Sequence, residues 1–367
     1  MPIHHVDVAV IGRGMIGSAA ARHLGATAAK VALIGPTEPD THDGDGPWAS
    51  HWDQGRVTRI TAFSEPWGEW ARAAIDRYPE IEASSGVTFH DPVGLVVLAD
   101  DAAATMAAAE RLGADVEAMT PDELRTRTGI HSAVPTHSIV WEGAPAGLIN
   151  PRALVRAQTI CAEQAGVTVI DDAVVRIDHA EPGRIHLRSG EIVDAAQIIL
   201  ATGPHGADLV PGIDAPLERR MRTIALAELG PGPDLPTLII DNPPHALLDE
   251  AYWVPPVEFP DGRMLLKIGG DSLPPQLADD GDDITRWFHA GGAEAEATAL
   301  FELLETLLPE REITRVRHRP CVVSYTPSGI PHLERVSPSI TLAFGGCGAA
   351  AKSCDEIGRI AADIAIG

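Results

Sequence analysis

The sequence predicts an α/β fold in which a Rossmann-type dinucleotide-binding domain, assembled from separated stretches, carries an inserted α+β lobe built on a mainly antiparallel β-sheet. Three observations point there. The chain opens on an apolar run, Val6 to Ile11, followed by a glycine turn, an Ala-rich run and a second apolar run, Lys30 to Ile34. That is the order strand, turn, helix, strand. Between Pro211 and Gly270 the pattern changes to short β segments separated by Pro and Gly. The last stretch returns to a strand at Ile340–Phe344, a glycine turn at Gly345, Gly346 and Gly348, and a closing helix at Ser353–Ile366. The expected partition assigns 1–83, 146–216 and 317–367 to the dinucleotide-binding domain, and 84–145 and 217–316 to the inserted lobe.

Each element has a local reason. Met15 to Leu24 is rich in Ala, a strong helix former. Pro36 to Ser50 carries Pro, Asp and Gly and reads as a loop. Pro66 to Tyr78 spaces its aromatic and apolar residues helically, Val93 to Leu98 has strand character, and Pro121-Asp-Glu-Leu has the composition of a helix start. Asn150-Pro151 opens a helix through about Ala165, with Pro where its missing N–H matters least. Strands follow at Val167–Ile170, Ile185–Leu187 and Ile198–Ala201. Asp279–Asp283 reads as an acidic loop before a helix at Ala293–Leu308. No repeat at a 20–50-residue period is visible.

Composition narrows the partners. A chain of 367 residues with 45 % apolar content can bury two ordinary cores. The formal charge of −24 repels phosphate backbones and anionic membrane faces, so nucleic acid and membrane surfaces are not expected partners. No apolar stretch reaches the roughly 18 residues of a membrane span. No basic, apolar and small-residue leader is visible, so the expected location is the cytoplasm. Cys161, Cys321, Cys347 and Cys354 form no C-x-x-C pair, which leaves small buried thiols rather than a disulfide framework or zinc site as their plain reading. No metal site is expected.

The most informative motif is Gly12-Arg-Gly-Met-Ile-Gly17. In such a turn the first glycine permits the bend, the second lets a pyrophosphate approach the backbone, and the third lets helix and strand pack closely. The acidic residue expected at the end of the second strand is missing, because Ile34 is followed by Gly35-Pro36; Glu38 in the loop is the nearest substitute. This departure argues against ordinary NAD binding. Ala201-Thr-Gly203 is a second small-residue strand end.

With these residues the chain resembles the D-amino-acid-oxidase-like flavoproteins, the sarcosine oxidase group in particular, from Val6 to Ala365. Five segments carry the resemblance in order. They are Gly12–Gly17 with the following Ser-Ala-Ala-Ala-Arg-His-Leu, Ser50-His-Trp-Asp-Gln-Gly-Arg-Val-Thr-Arg59, Leu266-Lys-Ile-Gly269, Arg319-Pro-Cys-Val-Val-Ser-Tyr-Thr-Pro327, and Gly345-Gly-Cys-Gly-Ala-Ala-Ala-Lys352.

The resemblance implies FAD as cofactor, joined through the sulfur of Cys321 to the flavin 8α-methyl. Read without it, Cys321 is a small core residue. Cofactor contacts are implied for Gly12, Gly14, Met15, Ile16 and Gly17 of the first turn. Ser50, His51 and Arg56 are placed near the flavin ring, Val174 and Gly203 near the rest of the cofactor, and Gly346, Gly348 and Lys352 at the C-terminal turn. Arg59 and Lys352 match the cation pair that grips the substrate carboxylate, where a guanidinium binds bidentately and an ammonium adds a point charge. Lys267 matches the lysine that activates oxygen; its other reading is an outward lysine on an edge strand.

The implied activity is oxidation of a carbon–nitrogen bond in a small amino acid, secondary amine or cyclic imino acid, giving an imine and hydrogen peroxide, with oxygen as co-substrate. The alternative is a dehydrogenase passing electrons to another acceptor. Val323, Ala349 and Asp271 stand where relatives carry Tyr or His, which points to a substrate bulkier than sarcosine, or cyclic.

Overall fold

The computed structural model describes residues 3–39, 44, 46–61, 66–132, 134, 137–178, 182–206 and 208–367. Part of the expected loop 36–50 lies outside these residues. An eight-stranded sheet is centred on Ile3–Ile11, which runs parallel to both Val31–Ile34 and Ile192–Leu200. Thr168–Ile170 and Ile340–Phe344 extend it in parallel on either side. Antiparallel strands Gly183–Leu187, Val174–Asp178 and His332–Ser337 complete it.

The near-continuous apolar character of the central strands follows from burial on both faces. Ala9, Ile11, Ile34, Leu200 and Phe344 pack with Ile177, Ile185 and Val210 on one side. Val8, Val10, Leu33 and Ile199, at the alternate positions, meet Ala20, Leu24, Ala162 and Ala361 on the other. Those last residues belong to helices Met15–Gly25, Pro151–Gln164 and Ala350–Ile366.

The second sheet has nine strands and is mainly antiparallel, with one parallel pair between Thr237–Asp241 and Leu95–Ala99. Here the sequence expectation of short β segments needs correction. The strands are long: Glu218–Leu229 has 12 residues, Leu248–Glu258 has 11 and Met264–Ser272 has 9. Pro255 and Pro256 do not end the middle strand because they fall at a register shift between Val254 and Val257, where no ladder hydrogen bond is lost. Helix Glu294–Leu307 covers one face of this sheet through Leu300, Leu303, Leu304 and Leu307, packed on Trp253, Leu266 and Ile268. Strand Ile313–Tyr325, across which the expected boundary at 316/317 falls, pairs with Glu218–Leu229 in the second sheet.

Two further differences have local causes. The acidic run at Asp279–Asp283 is a helix start, not a loop: Asp280 accepts hydrogen bonds from the amides of Asp282 (2.9 Å) and Asp283 (3.0 Å) and caps helix Gly281–Ala290. Helix Trp67–Ser85 continues through Pro79, because its buried face, Ala71, Ala74, Ile75, Tyr78 and Ile81, outweighs the lost backbone bond. Among the described residues, no helix is long and apolar enough to cross a membrane.

Candidate active site

The first turn is built for close approach. Gly12 has φ +107°, and a Cβ there would lie 2.3 Å from the Ala201 carbonyl oxygen; one on Gly17 would lie 1.8 Å from that of Gly12. Only glycine fits either place. Gly14 caps helix Met15–Gly25 with no side-chain hydrogen bond and no acidic residue follows in the first turn, so the leading amides are left for an anion. A pyrophosphate fits this cradle.

The turn opens onto a cleft of about 1470 Å³ between the sheets. Gly12, Gly14, Met15 and Ile16 form one end of its wall, with Ser50, His51 and Gly203 beside them. Arg56, Arg59 and Cys321 line it further on, with Gly346, Gly348 and Lys352 from the last glycine turn. Three expected residues do not line it. Gly17 sits one step inside the helix, Val174 begins a strand and packs against the core of the first sheet, and Lys267 is wholly buried behind the wall. Glu38 does line the cleft, paired with Arg152 Nε at 2.8 Å. His51 approaches Glu38 at 3.4 Å, but burial, with Arg152 and Arg56 adding to it, pushes its imidazole down to about 3, so the ring is neutral.

At the middle of the cleft Cys321 is buried, with the Arg56 guanidinium 3.5 Å from its sulfur. Arg56 is held by the Ser50 carbonyl at 2.7 Å and by an ion pair with Asp53. Asp53 also takes the Lys267 ammonium at 2.6 Å, and Lys267 donates to the Gly55 carbonyl as well. Burial alone would raise the Asp53 carboxyl, yet Lys267 and Arg56 outweigh it and hold the group ionised. Burial, with the charge of Arg56 adding to it, brings Lys267 down to about 8.

The far end is rich in charge. Burial, then repulsion from Arg59, lowers Lys352 to about 7; its Nζ donates to the Ala349 carbonyl at 3.2 Å and lies 5.6 Å from the Trp67 ring centre. Beneath the cation pair, the fully buried Glu142 accepts hydrogen bonds from the amides of Ile60 (2.7 Å) and Thr61 (3.2 Å) and from the Thr61 hydroxyl, fixing the backbone just after Arg59. Across the cleft, Asp271 is ion-paired with Arg222 and hydrogen-bonded by the Tyr325 hydroxyl at 3.3 Å. Asp271, Val323 and Ala349 all line the cleft.

Residues 7–364 match the family described as DAO, FAD dependent oxidoreductase. The chain belongs to that family. It is therefore an FAD-dependent oxidoreductase with an α/β fold of the DAO type. Monomeric sarcosine oxidase from Streptomyces avermitilis is 25 % identical over 380 residues, covering 98 % of this chain and 93 % of that protein. Among solved structures, NikD, described as an unusual amino acid oxidase essential for nikkomycin biosynthesis, superposes with a TM-score of 0.82 at 18 % identity, covering 99 % of this chain and 94 % of that one. Glycine oxidase from Geobacillus kaustophilus gives 0.77 at 20 % identity, covering 99 % and 95 %.

For a DAO-family chain, sequence reasoning passed over several residues that shape the cleft. Asp53 lies inside a quoted motif, but its partner Lys267 is 214 positions away, and only folding joins them. Glu250 and Tyr252 are alternate positions of one strand, interleaved with the core residues Ala251 and Trp253.

Proposed function

We propose that the chain is an FAD-dependent oxidase of a carbon–nitrogen bond in a small amino acid, secondary amine or cyclic imino acid, yielding an imine and hydrogen peroxide. The observation that carries this reading is the sharing of one cleft by an anion-ready glycine turn, Cys321, and the cations Arg59 and Lys352. The flavin, when bound, supplies the redox chemistry by accepting a hydride equivalent. Arg59 and Lys352 hold the substrate carboxylate and so fix the carbon beside the nitrogen. Glu142 keeps Arg59 in place from behind. Cys321 is the point of covalent attachment, with the Arg56 guanidinium beside its sulfur.

The test is the absorbance spectrum of the purified protein before and after acid precipitation, with intact mass. A yellow pellet and a chain heavier by one FAD are expected, and Cys321→Ala should release the cofactor. A colourless pellet under a yellow supernatant overturns the covalent link; a colourless protein overturns the flavoenzyme reading.

A second reading, a dehydrogenase, is favoured by one observation. Lys267 is committed to Asp53 and Gly55 and does not line the cleft, so it is not an open cation for developing superoxide. Oxygen uptake with substrate, compared with reduction of an artificial dye, separates the two.

A further inference from the structure

Glu250 lines the cleft and is not used by the carboxylate clamp. Its strand, Leu248–Glu258, turns Ala251 and Trp253 to the core and Glu250 and Tyr252 to the cleft. Tyr252 marks the reacting region, since its ring lies 5.0 Å from the Lys267 ammonium and close to Cys321 and Arg56. Glu250 is two residues along the same face, roughly 6–7 Å further out. It faces the space where a substrate's side chain, not its reacting carbon, would lie.

The charges around it do not cancel. Glu250 is in register with Asp271 on one side and Asp241 on the other. Asp271 has Arg222 and Tyr325 as partners, and Arg220 at 3.5 Å as well. Glu250 is exposed to solvent and has no side-chain hydrogen bond or ion pair among the described residues; enclosure by the cleft walls and the neighbouring Asp271 raise its carboxyl, while the charges of Arg59 and Arg222 act the other way. Arg59 and Lys352 supply counter-charge to it. A carboxylate ligand takes those cations for itself, and Glu250 then faces the ligand's carboxylate, Asp271 and Asp241 with only Arg222, already committed to Asp271, near it.

We infer that Glu250 is a specificity residue that binds a protonated nitrogen on the substrate's side chain, so that the substrate is an amino or imino acid with a second, basic group. The inference rests on the proposed carboxylate clamp. A ligand with an anion at one end and a cation at the other restores the charge balance at both ends. Glu250 is exposed on the cleft wall, so a neutral side chain covers it without supplying a partner, and an acidic one is repelled.

Calorimetric titration of the flavin-loaded enzyme tests this with 4-aminobutanoate, 5-aminopentanoate and 6-aminohexanoate, each against the acid in which a methyl replaces the ammonium. At least one amino acid of the series should bind about tenfold or more tightly than its isostere, and Glu250→Gln should remove that preference without weakening the binding of the plain acids. No preference in the wild type, measured without any variant, overturns the inference, and so does a preference that survives in Glu250→Gln. Arg59→Met distinguishes the two levels. If the plain acids bind it as well as they bind the wild type, the clamp falls and this inference with it; if they bind it weakly and the wild type still ignores the ammonium, this inference alone falls.

Discussion

Lys352 is a residue whose behaviour the cleft changes strongly. Burial and Arg59 bring its ammonium down to about 7, so in the free enzyme it is half charged at neutral pH. A bound carboxylate favours the charged form and raises that value. Carboxylate inhibitors should therefore bind most tightly below pH 7 and lose affinity as pH rises through and above it, until the raised value in the complex is passed. Lys352→Met should weaken binding about ten- to a hundred-fold at low pH and flatten this profile, which titration across pH 6–9 measures. A flat wild-type profile would show that the ammonium makes no contact with the ligand. Arg59 and Lys352 were legible because motifs carry them. Glu142, beneath them, was not, because nothing local distinguishes a buried glutamate at the end of a strand from an exposed one until the loop at Ile60 and Thr61 folds over it.

Helix Ala350–Ile366 shows how an element is held to serve the site. Sequence reading starts it at Ser353; it starts at Ala350, so Lys352 sits in its first turn. One turn on, Asp355 is fully buried and joins three other helices: Arg22 at 2.6 Å, Arg77 at 2.5 Å and Gln158 at 3.1 Å, with His23 at 3.3 Å. A charged residue on a helix reads as solvent-facing, and only the arrival of three neighbours makes this one internal. Burial would raise its carboxyl, but His23 and Arg22 hold it far below the ordinary range. With the folded value depressed, its contribution is complete above about pH 4, the unfolded value, and is lost as pH falls from there toward the folded value. Asp355→Ala strands the arginines and should cost about 3–5 kcal/mol, read by urea unfolding at neutral pH, with the loss shrinking in acid. An unchanged midpoint would mean the network is neutral to stability.

On the scale of the molecule, the order of the five motifs conveys the two-lobed plan, while the lengths of the second sheet's strands stay hidden because prolines at a bulge read as strand ends. The dinucleotide turn belongs to the first sheet, and Cys321 to the second, where Ile313–Tyr325 runs beside Glu218–Leu229. A cofactor held at that turn and, as proposed, at Cys321 would contact both. Flavin-free Cys321→Ala protein should accordingly melt at a lower temperature than the loaded enzyme, by an amount that grows with cofactor affinity, about 4 kcal/mol at ~1,000 times the dissociation constant. Equal calorimetric midpoints would show that the sheets hold together without it. The placement of Cys321 also bears on traffic. With the link proposed at Cys321, a prosthetic group held at one sheet by its phosphates and at the other by sulfur would act as a rivet, and a riveted pair of sheets would not gape like a jaw. On that proposal substrate and product would pass through the standing mouth of the cleft, and turnover would be set by the width of a doorway and not by the swing of a door.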